Sequence, residues 1–166
     1  VLIGTALALT RGEATCRFID FLLAFCRMAI LHSGANILSD VSDYGRGLDR
    51  EPMPLGSAIP HGIVSEREAL IESLLLFAAG SLVGLILVAR VGLPILWIGL
   101  AGVVIGASYT AGPLKLKYHA LGDLAVLLNF GILGVLGAWT VQTGRPDWRT
   151  IPWSLPIAFH VVGILH

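Results

Sequence analysis

A chain of 166 residues that is 55% hydrophobic, only 13% charged and formally neutral is not a water-soluble domain, in which about a quarter of residues carry charge. Its mean hydropathy of +0.82 points to lipid instead. Neutrality removes any general attraction to nucleic acid or anionic surfaces, and Cys16 and Cys26, in or beside apolar sequence without a CxxC partner, read as buried small side chains.

The first apolar stretch, residues 1–10, is shorter than the roughly 20 residues that cross a bilayer. It also lacks the basic region and cleavage site of a signal peptide. It reads as the remainder of a helix in a chain truncated at both ends. Residues 18–39 form the first full span. Asp20 and Arg27 lie two turns apart on one face, which predicts structural ion pairing, mutual or with neighbouring helices. On the opposite face His32, Asn36, Asp40 and Asp43 follow one another at three or four residues, one stripe of a helix. Carboxylates this close repel unless a cation neutralises them. A hard ion such as Mg²⁺, which takes few carboxylates and completes its shell with water and phosphate, suits them. A solvated helix end reads equally well from spacing alone.

The connection after Asp40 is long, rich in Gly and Pro, and holds most of the acids; Ser65-Glu-Arg-Glu68 closes it as a capping box. Residues 69–114 are too long for one crossing and break at Arg90-Val-Gly-Leu-Pro94 into two helices. Gly80/Gly84, Gly102/Gly106 and the row Gly131, Gly134, Gly137 offer small faces for close helix packing. The fourth helix ends at Gly112-Pro113, within Tyr109-Thr-Ala-Gly-Pro-Leu-Lys115-Leu-Lys117-Tyr118-His-Ala-Leu-Gly122-Asp123. Residues 120–141, which contain Asp123 and Asn129, form a fifth helix, and a last one starts at Ile151. The expectation is one all-α, multi-pass transmembrane bundle over 1–166, with about six helices, the first and last incomplete.

The connections alternate sides. Residues 10–17, the turn at Arg90 and residues 143–150 share one surface; residues 40–68 and 112–119 share the other. Basic residues divide five against five, so charge does not orient the chain. Lys115 and Lys117 could simply snorkel to the headgroups. Lying on the side of Asp40 and Asp43, they could also form the second wall of a diphosphate site.

Together the two loops resemble the UbiA superfamily of intramembrane prenyltransferases. Asn36, Asp40 and Asp43 match its N-x-x-x-D-x-x-D motif, and Arg46-Gly47-Leu48-Asp49 is similar to the R-G-x-D that often follows. The Tyr109–Asp123 stretch looks most like the 1,4-dihydroxy-2-naphthoate prenyltransferase branch. Ser39, where close relatives often have Asn, and Ala58, where many have Arg, depart from the pattern. The resemblance implies an Mg²⁺-dependent transfer of a polyprenyl group from an allylic diphosphate to an aromatic acceptor in quinone biosynthesis, with 1,4-dihydroxy-2-naphthoate favoured over 4-hydroxybenzoate or homogentisate. It assigns Asp40 and Asp43 to Mg²⁺ and Asn36 to orienting metal or diphosphate. Lys115, Lys117 and Arg46 would meet the diphosphate, Tyr109 and Tyr118 would shape the pocket, and Asp49 and Asp123 stand nearby. It places the protein in the cell's inner or plasma membrane with both motif loops cytoplasmic. A second aspartate-rich motif would follow His166, so the 166 residues alone would be inactive. A multi-pass transporter lined by Asp20, Arg27 and Asn129 is the rival, but the polar residues gather on one side instead of threading the membrane.

Overall fold

The computed structural model describes residues 1–48, 50–54, 56–110, 114–119 and 121–164. Among them are six helices and no strand: α1 (Leu2–Thr10), α2 (Phe18–Gly45), α3 (Glu66–Val91), α4 (Leu93–Thr110), α5 (Gly122–Thr143) and α6 (Ile151–Ile164). Helices α2, α3, α4 and α5 are each long and apolar enough to cross a membrane, and this is an integral membrane protein.

The boundaries follow local chemistry. α2 runs past the expected end at residue 39 to Gly45, so the acidic stripe is helical throughout. α3 opens on the predicted box: Ser65 Oγ accepts from the Glu68 N–H at 3.2 Å, and Glu68 accepts from the Ser65 N–H at 2.9 Å. Gly92, at φ 121°, makes the α3–α4 turn in a conformation L side chains rarely adopt, and Pro94 sits in the first turn of α4 where its missing N–H costs nothing. α5 ends on Gly144 in the left-handed region. Between Leu127 and Leu133 α5 widens into a π-helical stretch, which periodicity did not predict.

Small residues set the packing. α2 lies mainly along α3, where Ser73 Oγ donates to the Gly34 carbonyl at 2.8 Å and Gly80 admits Leu31. Gly102 and Gly106 receive Asn129, which donates to the Gly102 carbonyl at 3.2 Å. Gly131 receives Ala158 of α6 so closely that a β-carbon there would meet the Cβ and Cα of Ala158. Gly131→Ala must therefore push α6 outward, with an expected loss of about 1–3 kcal/mol. Thermal unfolding in detergent checks this against Gly163→Ala, whose added methyl meets nothing. Equal midpoints would mean that α6 is not seated on Gly131.

At one surface Arg17 gathers the chain. Its N–H donates to Gln142 Oε1 at 2.9 Å, its guanidinium to the Arg90 carbonyl at 3.0 Å, and Arg145 pairs with Glu13 at 2.6 Å. This is the predicted grouping of the short connections. Asp20, only 2% exposed, is clasped by Arg17 at 2.8 Å and by Arg90 of α3. The mutual pairing with Arg27 does not occur. Two helical turns span about 10 Å, whereas Arg17 is one turn away. Arg27 instead lies against Gly84 and Gly99. Both cysteines, expected to be buried, are exposed. Cys16 lies in the α1–α2 connection, and Cys26 joins Leu22 and Phe25 on the outward stripe of α2.

Candidate functional site

At the other surface the last turns of α2 meet the α4–α5 connection. A small apolar core, Val41, Ile59 and Ala69 with Ile37 and Tyr44 against it, holds α2, the following loop and the start of α3 together there. Asp43, in the same turns of α2, is 5% exposed. A carboxylate so buried must be compensated. Lys117 Nζ donates to Asp43 Oδ2 at 2.6 Å, and the Tyr118 hydroxyl donates to Oδ1 at 2.5 Å. Lys117 also donates to Ser39 Oγ at 3.1 Å.

A reversal in the backbone delivers these two side chains. Lys115 adopts φ 42°, the left-handed region that costs an L-residue roughly 1–2 kcal/mol. The chain then closes a 3₁₀ turn over Leu116–His119, with the Tyr118 N–H donating to the Lys115 carbonyl at 2.9 Å. Gly122 packs against the turn: a β-carbon there would stand 3.4 Å, ordinary contact distance, from both Lys117 Cα and the Tyr109 ring. Arg46, one turn beyond Asp43, lies over the Tyr118 ring with Cζ 3.8 Å from the centroid, a cation–π contact.

Along α2 the stripe continues as expected. Asp40 is half-buried one turn before Asp43, and Asn36 is exposed, its Nδ2 3.5 Å from His32 Nε2. His32 meets Phe130 edge to face at 5.0 Å, which ties the stripe to the π-helical stretch of α5. Asn36, Asp40, Asp43, Arg46, Lys117 and Tyr118 are thus brought to one surface. Tyr109 backs the turn. Lys115 makes no ion pair among the described residues, and Asp123 is exposed at the start of α5. Asp49 and the break at Gly112-Pro113 lie outside the described residues.

Two features add to the reading of the sequence. Lys117, read as a diphosphate contact on the wall facing the acids, closes directly on the buried Asp43. Ser39, noted only as a departure from a pattern, accepts from that same ammonium. Its position four residues before Asp43 was the available signal.

Burial, then the bond to Asp43 and its negative charge, pushes the Tyr118 phenol up to about 12, partly opposed by Arg46. The folded state thus favours the protonated phenol. Its contribution to stability is complete below the ordinary phenol value near 10 and is lost as pH rises through about 12. Titrating absorbance at 295 nm should show a phenol in this upper range that is missing from Tyr118→Phe. Identical titrations of the two proteins in that range would mean that the bond to Asp43 is not made.

The UbiA prenyltransferase family profile matches residues 1–166. The chain is similar to the UbiA prenyltransferase domain-containing protein 1 homolog of Drosophila melanogaster, at 30% identity over 99% of this chain and 46% of that protein. It is equally similar to 1,4-dihydroxy-2-naphthoate octaprenyltransferase of Bacillus subtilis, at 30% identity over 99% of this chain and 52% of that enzyme. A stretch of 72 residues is 42% identical to the Dictyostelium discoideum UbiA prenyltransferase domain-containing protein 1, covering 43% of this chain and 22% of that protein. The chain spans about half the length of the curated relatives it matches. No solved structure matches it.

Proposed function

The chain belongs to the UbiA prenyltransferase family, and on that premise we propose that it serves the transfer of a polyprenyl group from an allylic diphosphate to an aromatic acceptor, with 1,4-dihydroxy-2-naphthoate favoured. The observation that carries this reading is the closure of Lys117 and Tyr118 on Asp43, which joins two motif loops that are 74 and 75 residues apart in sequence. Acids, cations and phenols then meet at the foot of apolar helices, where a diphosphate can stay at the surface while its prenyl tail enters the membrane.

In this reading Asp40 and Asp43, with the Asn36 amide, would hold Mg²⁺. The donor types fit, being hard oxygens and few in number, once Lys117 and Tyr118 give up the Asp43 oxygens they occupy. Among the described residues no third acid or histidine joins them, so a diphosphate or a further segment completes the shell. Bound there, Mg²⁺ supplies Lewis-acid stabilisation of the leaving pyrophosphate.

The chain's own residues do the remaining work. Lys117, released from Asp43, and Lys115 donate to phosphate oxygens, and Arg46 adds a guanidinium at the rim. Charge-assisted bonds of this kind favour the state in which pyrophosphate carries most charge. As the allylic carbon–oxygen bond breaks, its electron pair leaves with pyrophosphate. The allylic cation is then captured by an electron-rich ring carbon; the bond to that carbon's carboxylate or hydrogen breaks, its electron pair returns to the ring to restore aromaticity, and CO2 or a proton leaves. The protonated Tyr118, with Tyr109 behind it, shapes the entrance, and apolar walls keep water from the cation. We place both loops on the cytoplasmic face.

The deciding experiment incubates full-length protein in detergent with Mg²⁺, a series of allylic diphosphates and three acceptors: 1,4-dihydroxy-2-naphthoate, 4-hydroxybenzoate and homogentisate. The prenylated product of 1,4-dihydroxy-2-naphthoate should dominate. Another product would move the acceptor but keep the reaction, and no prenylated product from any acceptor would overturn it. Chelation should abolish turnover while the helical circular dichroism stays intact, and added Mg²⁺ should restore it. Turnover that survives chelation would remove the metal from Asp40 and Asp43. The isolated 166 residues, half the length of these relatives, should form no product.

A further inference from the structure

Both carboxylate oxygens of Asp43 are engaged within the chain. Lys117 Nζ donates to Oδ2 at 2.6 Å and the Tyr118 hydroxyl to Oδ1 at 2.5 Å. Ser39 Oγ, one turn earlier on α2, accepts from the same ammonium at 3.1 Å. The two donors are themselves fixed: the 3₁₀ turn over Leu116–His119 sets them side by side, and Arg46 covers the Tyr118 ring at 3.8 Å. With Asp43 only 5% exposed, an ion reaches its oxygens by displacing these donors.

Charge decides what can displace them. Asp40 and Asp43 face Lys117 and Arg46, two carboxylates against two cations. No third acid or histidine joins the pair among the described residues. The cluster is therefore balanced before any ligand arrives. A divalent ion arriving alone would share one carboxylate with an ammonium, and like charges this close in a partly buried site repel strongly. A diphosphate removes the conflict. Its oxygens accept from Lys117 and Tyr118 as they leave Asp43, and its negative charge offsets the metal.

We infer that the closed Asp43–Lys117–Tyr118 cluster turns away a bare divalent ion, and that the ligand this site takes is a metal–diphosphate complex entering as one unit. The inference rests on the metal assignment proposed above and adds an order of assembly to it. Lys117 and Tyr118 hold Asp43 until a polyanion draws them away. Ser39, which has no part in the transfer itself, is a positioning residue that keeps Lys117 closed.

Two measurements on the full-length protein in detergent test this. The paramagnetic resonance signal of free Mn²⁺ reports binding of the bare ion. Calorimetry with geranyl thiolodiphosphate, an unreactive analogue, reports diphosphate binding with and without Mg²⁺. In the parent protein Mg²⁺ should tighten the analogue by about tenfold or more, and the analogue should tighten the ion by the same factor, because coupling is reciprocal. Lys117→Met should tighten bare Mn²⁺ by about tenfold while weakening the analogue, two shifts of opposite sign that a loosened site would not give. Tyr118→Phe and Ser39→Ala keep the ion pair and should each tighten bare Mn²⁺ by about twofold. Should Lys117→Met fail to fold, these two variants carry the same comparison. Bare Mn²⁺ bound as tightly by the parent as by the variants would overturn the inference and leave the metal at Asp40 and Asp43. An analogue affinity that Mg²⁺ does not change would instead remove the metal from these aspartates, and the inference with it.

Discussion

Asp43→Asn in the full-length protein should lower prenyl transfer by about 100-fold or more, and Asp40→Asn by a similar factor, because each removes a full negative charge from the place where metal and diphosphate charge must be balanced. Asp43 is buried and holds Lys117 and Tyr118, so its amide leaves an ammonium without its counter-charge. Asp43→Asn should therefore also lower the unfolding midpoint, by stranding the Lys117 ammonium. Steady-state rates at saturating Mg²⁺, with unfolding midpoints in the same detergent, provide the measurement. Near-normal turnover in both variants would remove this helix face from the reaction.

Lys117→Met should weaken prenyl-diphosphate binding at least tenfold and affinity for the aromatic acceptor much less. A charge-assisted hydrogen bond to an anion is worth roughly 1.5–3 kcal/mol, and 1.4 kcal/mol is already tenfold. Lys117→Arg keeps the charge and should recover part of the loss. Lys115→Met should weaken binding by a comparable factor without changing stability, since Lys115 makes no ion pair among the described residues, whereas Lys117 binds Asp43 and Ser39. The affinities of both methionine variants at fixed Mg²⁺ decide. Parental binding in both would reduce these lysines to structural and surface roles and shift the basic wall to Arg46 or Arg50.

Helices and their sides were legible because the signals are local. Hydrophobic run length marks a span, Ser65-x-x-Glu68 marks a start, and Gly92 with Pro94 marks a turn, each within a few residues. The stripe Asn36, Asp40, Asp43 was legible for the same reason: once residues 18–45 are helical, spacing alone puts these side chains on one face. Even Asp20 announced a partner, since a carboxylate buried in a span requires one.

The identity of each partner was not legible. Whether Asp20 meets Arg27 or Arg90 depends on how far α3 runs before Gly92 turns it. Whether Lys117 faces Asp43 across a gap or closes on it depends on a left-handed Lys115 and the 3₁₀ turn after it. The π-helical stretch that carries Phe130 to His32 leaves no periodic trace, since one wider turn merely shifts the register. The amino-acid order by itself determined the bundle, its capped ends and the acidic helix face, because backbone hydrogen bonding in lipid admits little else. Only the tertiary structure decided which charges neutralise which, because a pairing across 70 or more residues is set by helix lengths, turns and small-residue contacts acting together.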